Sequence, residues 1–167
     1  MDSFFNFVDR LNLFLAKLAS KFILLMVFLT FLIVVLRYGF GLGWIWLQES
    51  VLYFHGIAFL LAAPYALLID GHVRVDIFYR GASPNKKAVV DLFGSFFLLL
   101  PMCGLIFYQS FPYVLDSWKI LEGSREAGGL DFVYGLKTFI LIFCVLLFLQ
   151  GLSQSYRSLK VIRGQNV

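Results

Sequence analysis

Four stretches of this chain are apolar on nearly every face of a helix, and each is long enough to cross a lipid bilayer. A hydrocarbon layer about 30 Å thick takes roughly 20 helical residues at 1.5 Å each. The stretches at 17–37, 45–69, 88–115 and 132–153 meet that length. Apolar character all round marks a lipid-embedded helix, whereas a helix on the surface of a soluble domain keeps a polar face. The balance of 60% hydrophobic to 14% charged residues over 167 positions agrees, because a soluble domain of that size could not hide so much apolar surface. The predicted fold is therefore an all-α integral membrane protein with four transmembrane helices in one membrane domain, residues 1–167.

The segment before the first span has a different pattern. Phe4, Phe7, Val8, Leu11, Leu15 and Leu18 recur at helical spacing, while Asn6, Asp9, Arg10 and Lys17 fall on another face. Residues 1–16 thus read as an amphipathic helix lying in the membrane interface, with a plain extension of the first span as the alternative. The run Phe22 to Leu36 follows three basic residues, as a signal peptide does, but Arg37-Tyr38-Gly39-Phe40 stands where a small-residue cleavage site would be needed. It reads as a retained span. Arg10, Lys17 and Lys21 precede the first span, Arg74, Arg80, Lys86 and Lys87 occupy the second loop, and Arg157, Lys160 and Arg163 the tail. The first loop has only Arg37, and the third balances its bases with acids. By the positive-inside rule both termini face the cytoplasm. Trp44, Trp46 and Trp118 then form an outer aromatic belt. The basic residues are spread over loops and gathered on no one face, so the formal charge of +4 gives no reason to expect nucleic acid.

Ionisable groups within spans are costly and each needs a partner or a task. Glu49 stands one turn into the second span beside Trp46, and Arg37 closes the first, so the carboxylate is expected either to pair with Arg37 and lock this hairpin or to reach headgroup water, with direct participation in transport as the other reading. His55 is roughly 15 Å deep by helix rise. It reads as a hydrogen-bond donor to a neighbouring helix or a partner subunit, with proton relay or cofactor ligation as the other reading. Haem needs a second axial ligand at matched depth, and the other histidine, His72, lies in a loop. Cys103 and Cys144 lie in apolar runs without CxxC or zinc-site spacing and read as packing residues. Pro101 falls in mid-span and predicts a kink. Gly94, Gly104 and Ala62-Ala63 are candidates for close helix approach. Neither a metal site nor a cofactor is expected.

Three motifs occur in order. Arg37-Tyr38-x-Phe40 closes the first span, Trp46-x-x-Glu49 opens the second, and Gly71-His72-Val73-Arg74-Val75-Asp76 follows it. In this order and spacing they resemble the small membrane subunit of tripartite ATP-independent periplasmic (TRAP) transporters, as do the length, span count and orientation. Gly128-Gly129-Leu130-Asp131-Phe132 departs from the Pro/Trp-containing stretch that members of this family often carry before the last helix. The resemblance implies a non-enzymatic subunit in a bacterial inner membrane. It also implies a large membrane subunit as partner, a periplasmic substrate-binding protein as transient partner, and sodium-coupled import of organic acids or related solutes. The small subunit would brace the fixed scaffold against which the large subunit moves. Arg37, Trp46, Glu49, His55, His72, Arg74 and Asp76 are the residues expected to fix the helices and the partner interface. Two rival readings are a stand-alone four-helix transporter with Glu49 as its proton-coupled carboxylate and a membrane redox protein. The first needs a carboxylate near mid-membrane and the second a reactive thiol.

Overall fold

The computed structural model describes residues 2–72, 79 and 81–164, and every regular element among them is a helix. Helix α1 spans Asp2–Gly39 and α2 spans Ile45–Leu68. The third span is one continuous path made of α3 (Pro84–Phe93), a π-helical turn (Gly94–Leu99) and α4 (Leu100–Lys119). Helix α5 covers Val133–Ile162. Four helical segments are long and apolar enough to cross a membrane, in the order the hydropathy predicts.

Three of the four helical spans outrun the predicted ones, most of all at the chain ends, while α2 matches its prediction to within a residue. No glycine or proline interrupts the sequence from Asp2 to Tyr38, so α1 continues unbroken for 38 residues, about 57 Å. The N-terminal segment is thus joined to the first span without a hinge. α1 stops where glycines stand at 39, 41 and 43, with Gly41 at φ +68°, a left-handed conformation that glycine adopts without steric cost. α5 runs about nine residues beyond the predicted limit at 153.

Helix α5 is the centre of the assembly. It touches α1, α2, α3, the π-turn and α4, whereas α1 packs on α2 and α5 alone. The most apolar window of α5 is 33% buried and that of α1 only 6%, so most of α1 faces outward. Ala19 of α1, Ala58 and Leu61 of α2 and Leu146 of α5 meet in one buried cluster, with Ala62 and Phe22 packed against it. Alanines at the crossing let backbones approach, which is how helices associate where lipid removes the hydrophobic driving force.

Pro101 acts on the third span in a particular way. It has no N–H to return to the preceding turn, and just before it the helix widens, so that Leu100 N–H donates to Ser95 O five residues back. The predicted irregularity is therefore a π-turn. The glycines singled out for close approach play another part, since a Cβ on Gly94 or Gly104 would meet nothing within 4 Å. Close approach belongs instead to Gly151 of α5, where an added Cβ would come within 2.8 Å of Leu99 Cδ2.

Candidate functional site

Polar chemistry gathers at the two ends of the bundle. At the end that carries the α1–α2 turn, Glu49 is drawn into the 120–132 loop between α4 and α5. Its Oε1 accepts the Ser124 hydroxyl, and its Oε2 accepts the Leu130 N–H at 2.6 Å. One turn earlier, Trp46 N–H donates to Gly128 O at 3.1 Å. The glycine pair makes this receptor. Gly128 takes φ +79°, and a Cβ on Gly129 would lie 2.6 Å from Glu49 Oε2. The stretch that departs from the common family pattern is thus the one that receives Glu49.

The same loop is tied to α5. Glu122 accepts from Ser117 Oγ at 2.7 Å and pairs with Lys137, and these two contacts hold its carboxyl below the ordinary carboxylate range, the Lys137 contact first. Its backbone oxygen accepts the Val133 N–H at 3.1 Å, satisfying an orphan donor in the first turn of α5. Lys137 Nζ also sits 3.9 Å from the centre of the Tyr113 ring, and Trp118 Nε1 donates to Thr138 Oγ1 at 2.8 Å. The loop is a clasp joining α2, α4 and α5.

At the opposite end the start of α1 is zipped to the last turns of α5. Asn12 Nδ2 donates to Gln150 Oε1 at 2.6 Å, and both residues are 0% exposed. Gln150 Nε2, Ser153 Oγ and Arg157 all donate to Asp9, and the Arg157–Asp9 ion pair is 3.0 Å long. Tyr156 and Lys160 reach Asp2 at 2.9 and 2.5 Å. The sequence reading missed this network and placed Asp9 only on the polar face of an interfacial helix. Its signal is present in retrospect, because Asp9 and Asn12, and Gln150, Ser153 and Arg157, each share a helix face. Which faces meet becomes visible only when α1 is known to lie against α5.

Of the residues expected at a site, Glu49 and Trp46 enter the clasp described above, Trp46 by its backbone while its side chain stays exposed. The expected Arg37–Glu49 pair does not form. Glu49 is taken by Ser124 and Leu130, and Arg37 is exposed at the end of α1. His55 is exposed on the outward face of α2, which also carries Leu52 and Phe59. His72 is exposed just beyond α2. Arg74 and Asp76 lie outside the described residues. Nearby, Asp91 accepts the Tyr79 hydroxyl at 2.9 Å. Cys103 and Cys144 are both buried free thiols, and they border one apolar hollow of about 220 Å³.

Four apolar spans, one of them central, with polar clasps at both ends, define a multi-pass α-helical membrane protein in which Glu49, Glu122, Lys137, Asp9 and Arg157 tie its own elements together. The profile of one family, the DctQ component of tripartite ATP-independent periplasmic transporters, matches residues 26–161, and the chain belongs to that family. It is a small membrane component of a TRAP transporter, in a family of transporter parts as opposed to enzymes. Neither a curated protein nor a solved structure matches the chain.

Proposed function

We propose that this chain is the scaffold subunit of a sodium-coupled importer of organic acids or related solutes, served by a periplasmic binding protein and seated in a bacterial inner membrane with both termini in the cytoplasm. It carries no catalysis. It braces a large transport subunit and leaves solute and ion handling to that partner. The observation that supports this reading best is where the polar groups are used. Glu49, Glu122, Lys137, Asp9, Asn12, Gln150 and Arg157 hold the chain's own elements together, as a rigid brace requires. Long outward faces remain apolar and are suited to lipid and to a partner's helices.

His55 supports the partner in particular. A histidine about 15 Å along α2 is too deep to reach water easily, and its outward position gives it no acceptor among the described residues of this chain. A hydrogen bond donated to a facing helix of the large subunit would satisfy it. Arg37, Trp46, His72, Arg74 and Asp76 complete the proposed interface at the two membrane surfaces. Glu49 as a proton-coupled carboxylate finds no support, because both of its oxygens already accept hydrogen bonds at the edge of the bundle.

The test is purification of the tagged chain from its operon context, identification of what accompanies it, and uptake in liposomes. A copurifying protein of ten or so spans, with uptake that needs both sodium and an added periplasmic binding protein, is the expected result. A chain that purifies alone and moves solute unaided would overturn the proposal.

A further inference from the structure

A cavity of about 580 Å³ opens where the end of α2, the α3–π-turn segment and α5 meet. It lies toward the end that carries the chain termini and takes no part in either clasp. Its volume is in the range of roughly 300–1,000 Å³ usual for small-molecule sites. Leu67, Leu99 and Leu147 make its walls, while His72, Tyr79, Asp91, Ser95 and Gln154 contribute polar groups, the Asp91 carboxylate being held by the Tyr79 hydroxyl. These are graded by depth. His72 and Tyr79 lie beyond Leu68, the last residue of α2, whereas Leu99 and Leu147 lie well within their spans. Beside this lining, Lys87 brings a cation to Tyr79, its Nζ 5.0 Å from the centre of the ring.

We infer that this cavity binds a glycerophospholipid from the leaflet on the side of the termini. One acyl chain lies along the leucine wall, and the phosphate sits at the rim beside Lys87 and His72. Each half of the lining argues for that chemistry. A free anion would have no use for an apolar slot reaching toward the midplane, and a plain hydrocarbon would have none for a polar rim of His72, Tyr79 and Asp91 with a lysine next to it. The π-turn has a role here too. It supplies Gly94 to the lining, and because no side chain covers Gly94 the slot stays open at that point. A lipid held there would fill the gap between α2, α3 and α5 and stiffen the bundle at that point.

The test uses the full chain, delipidated in mild detergent, with phosphatidylglycerol as probe and native mass spectrometry as readout. Wild-type protein should retain a single phospholipid at detergent levels that strip the rest, and should recover it when phosphatidylglycerol is added. Gly94→Phe fills the slot and should abolish this adduct. Gly104→Phe, at another uncovered glycine of the same span outside this cavity, should keep it. Lys87→Ala, beside the rim and away from the packed core, should weaken retention about fivefold, the worth of one cation near a lipid surface. If Gly94→Phe proves poorly folded by circular dichroism, the Lys87→Ala titration decides alone. Equal adducts on all four proteins, or none on wild type with added lipid, would overturn the inference. So would a Gly94→Phe protein that keeps its lipid but loses a copurifying subunit, since a partner's side chain would then be the occupant.

Discussion

Glu49 shows how a single residue is reassigned by its surroundings. In sequence it is an acid at the head of a membrane helix, open to pairing with Arg37 or to proton coupling. In the structure two donors from a loop some eighty positions away hold it, and an exposed Arg37 makes no contact with it. Its role is then to hold the 120–132 loop against α2, which gives a distinct expectation for mutation. Glu49→Gln keeps an acceptor for the Leu130 N–H and should leave uptake by the assembled transporter largely intact, with a modest loss of thermal stability. Glu49→Leu loses both acceptors and should lower stability further and loosen the loop, read as faster amide exchange at Ser124 and Leu130. Abolished uptake in Glu49→Gln, with the protein still folded and still bound to its partner, would point to proton coupling instead.

At the scale of elements, the third span and α5 show why glycine counts in a sequence say little about packing. Gly94 and Gly104 look like contact glycines but face open space, and Gly151 is the one pressed against Leu99. A leucine at 151 must push α5 off the π-turn, and such overpacking costs about 1–3 kcal/mol. For a chain of this length that corresponds to a melting temperature lower by about 2–12 °C. Gly94→Ala should be neutral or slightly stabilising in the same thermal melt, because a helical glycine costs up to about 1 kcal/mol relative to alanine. The reverse order of the two effects would mean that the π-turn packs differently from the arrangement described. Pro101 was legible as an irregularity from its missing N–H, but its form was not, since a kink and a widened turn both relieve the same lost hydrogen bond.

Across the whole molecule, the length of α1 and the zipper to α5 form one device. Residues 2–16 carry Asp2, Asp9 and Asn12, and their removal leaves Gln150, Ser153, Arg157 and Lys160 without the partners they have in the intact chain. A chain lacking residues 2–16 should therefore insert and keep its four spans, yet show a frayed C-terminal end of α5, seen as lost protection from amide exchange over 150–162. It should also support less uptake if the brace must be rigid. Unchanged exchange and unchanged uptake would show that the zipper is dispensable.

The sequence by itself determined the number of spans, their order, the absence of any need for a soluble core and the family, because each follows from hydropathy and local motifs that do not depend on which helix neighbours which. Helix ends were less legible. α1 and α5 extend beyond the apolar stretches, and the zipper they form with each other supports that extra length. Only the tertiary structure decided that α5 is central, that Glu49 belongs to the 120–132 loop, that Asp9 and Asn12 turn inward and that a cavity opens beside the π-turn. Each depends on contacts between residues far apart in the chain. In a bilayer all four helices present similar apolar surfaces, so hydropathy cannot choose among their pairings; small residues and a few directional hydrogen bonds do that, and these act only after the helices have met.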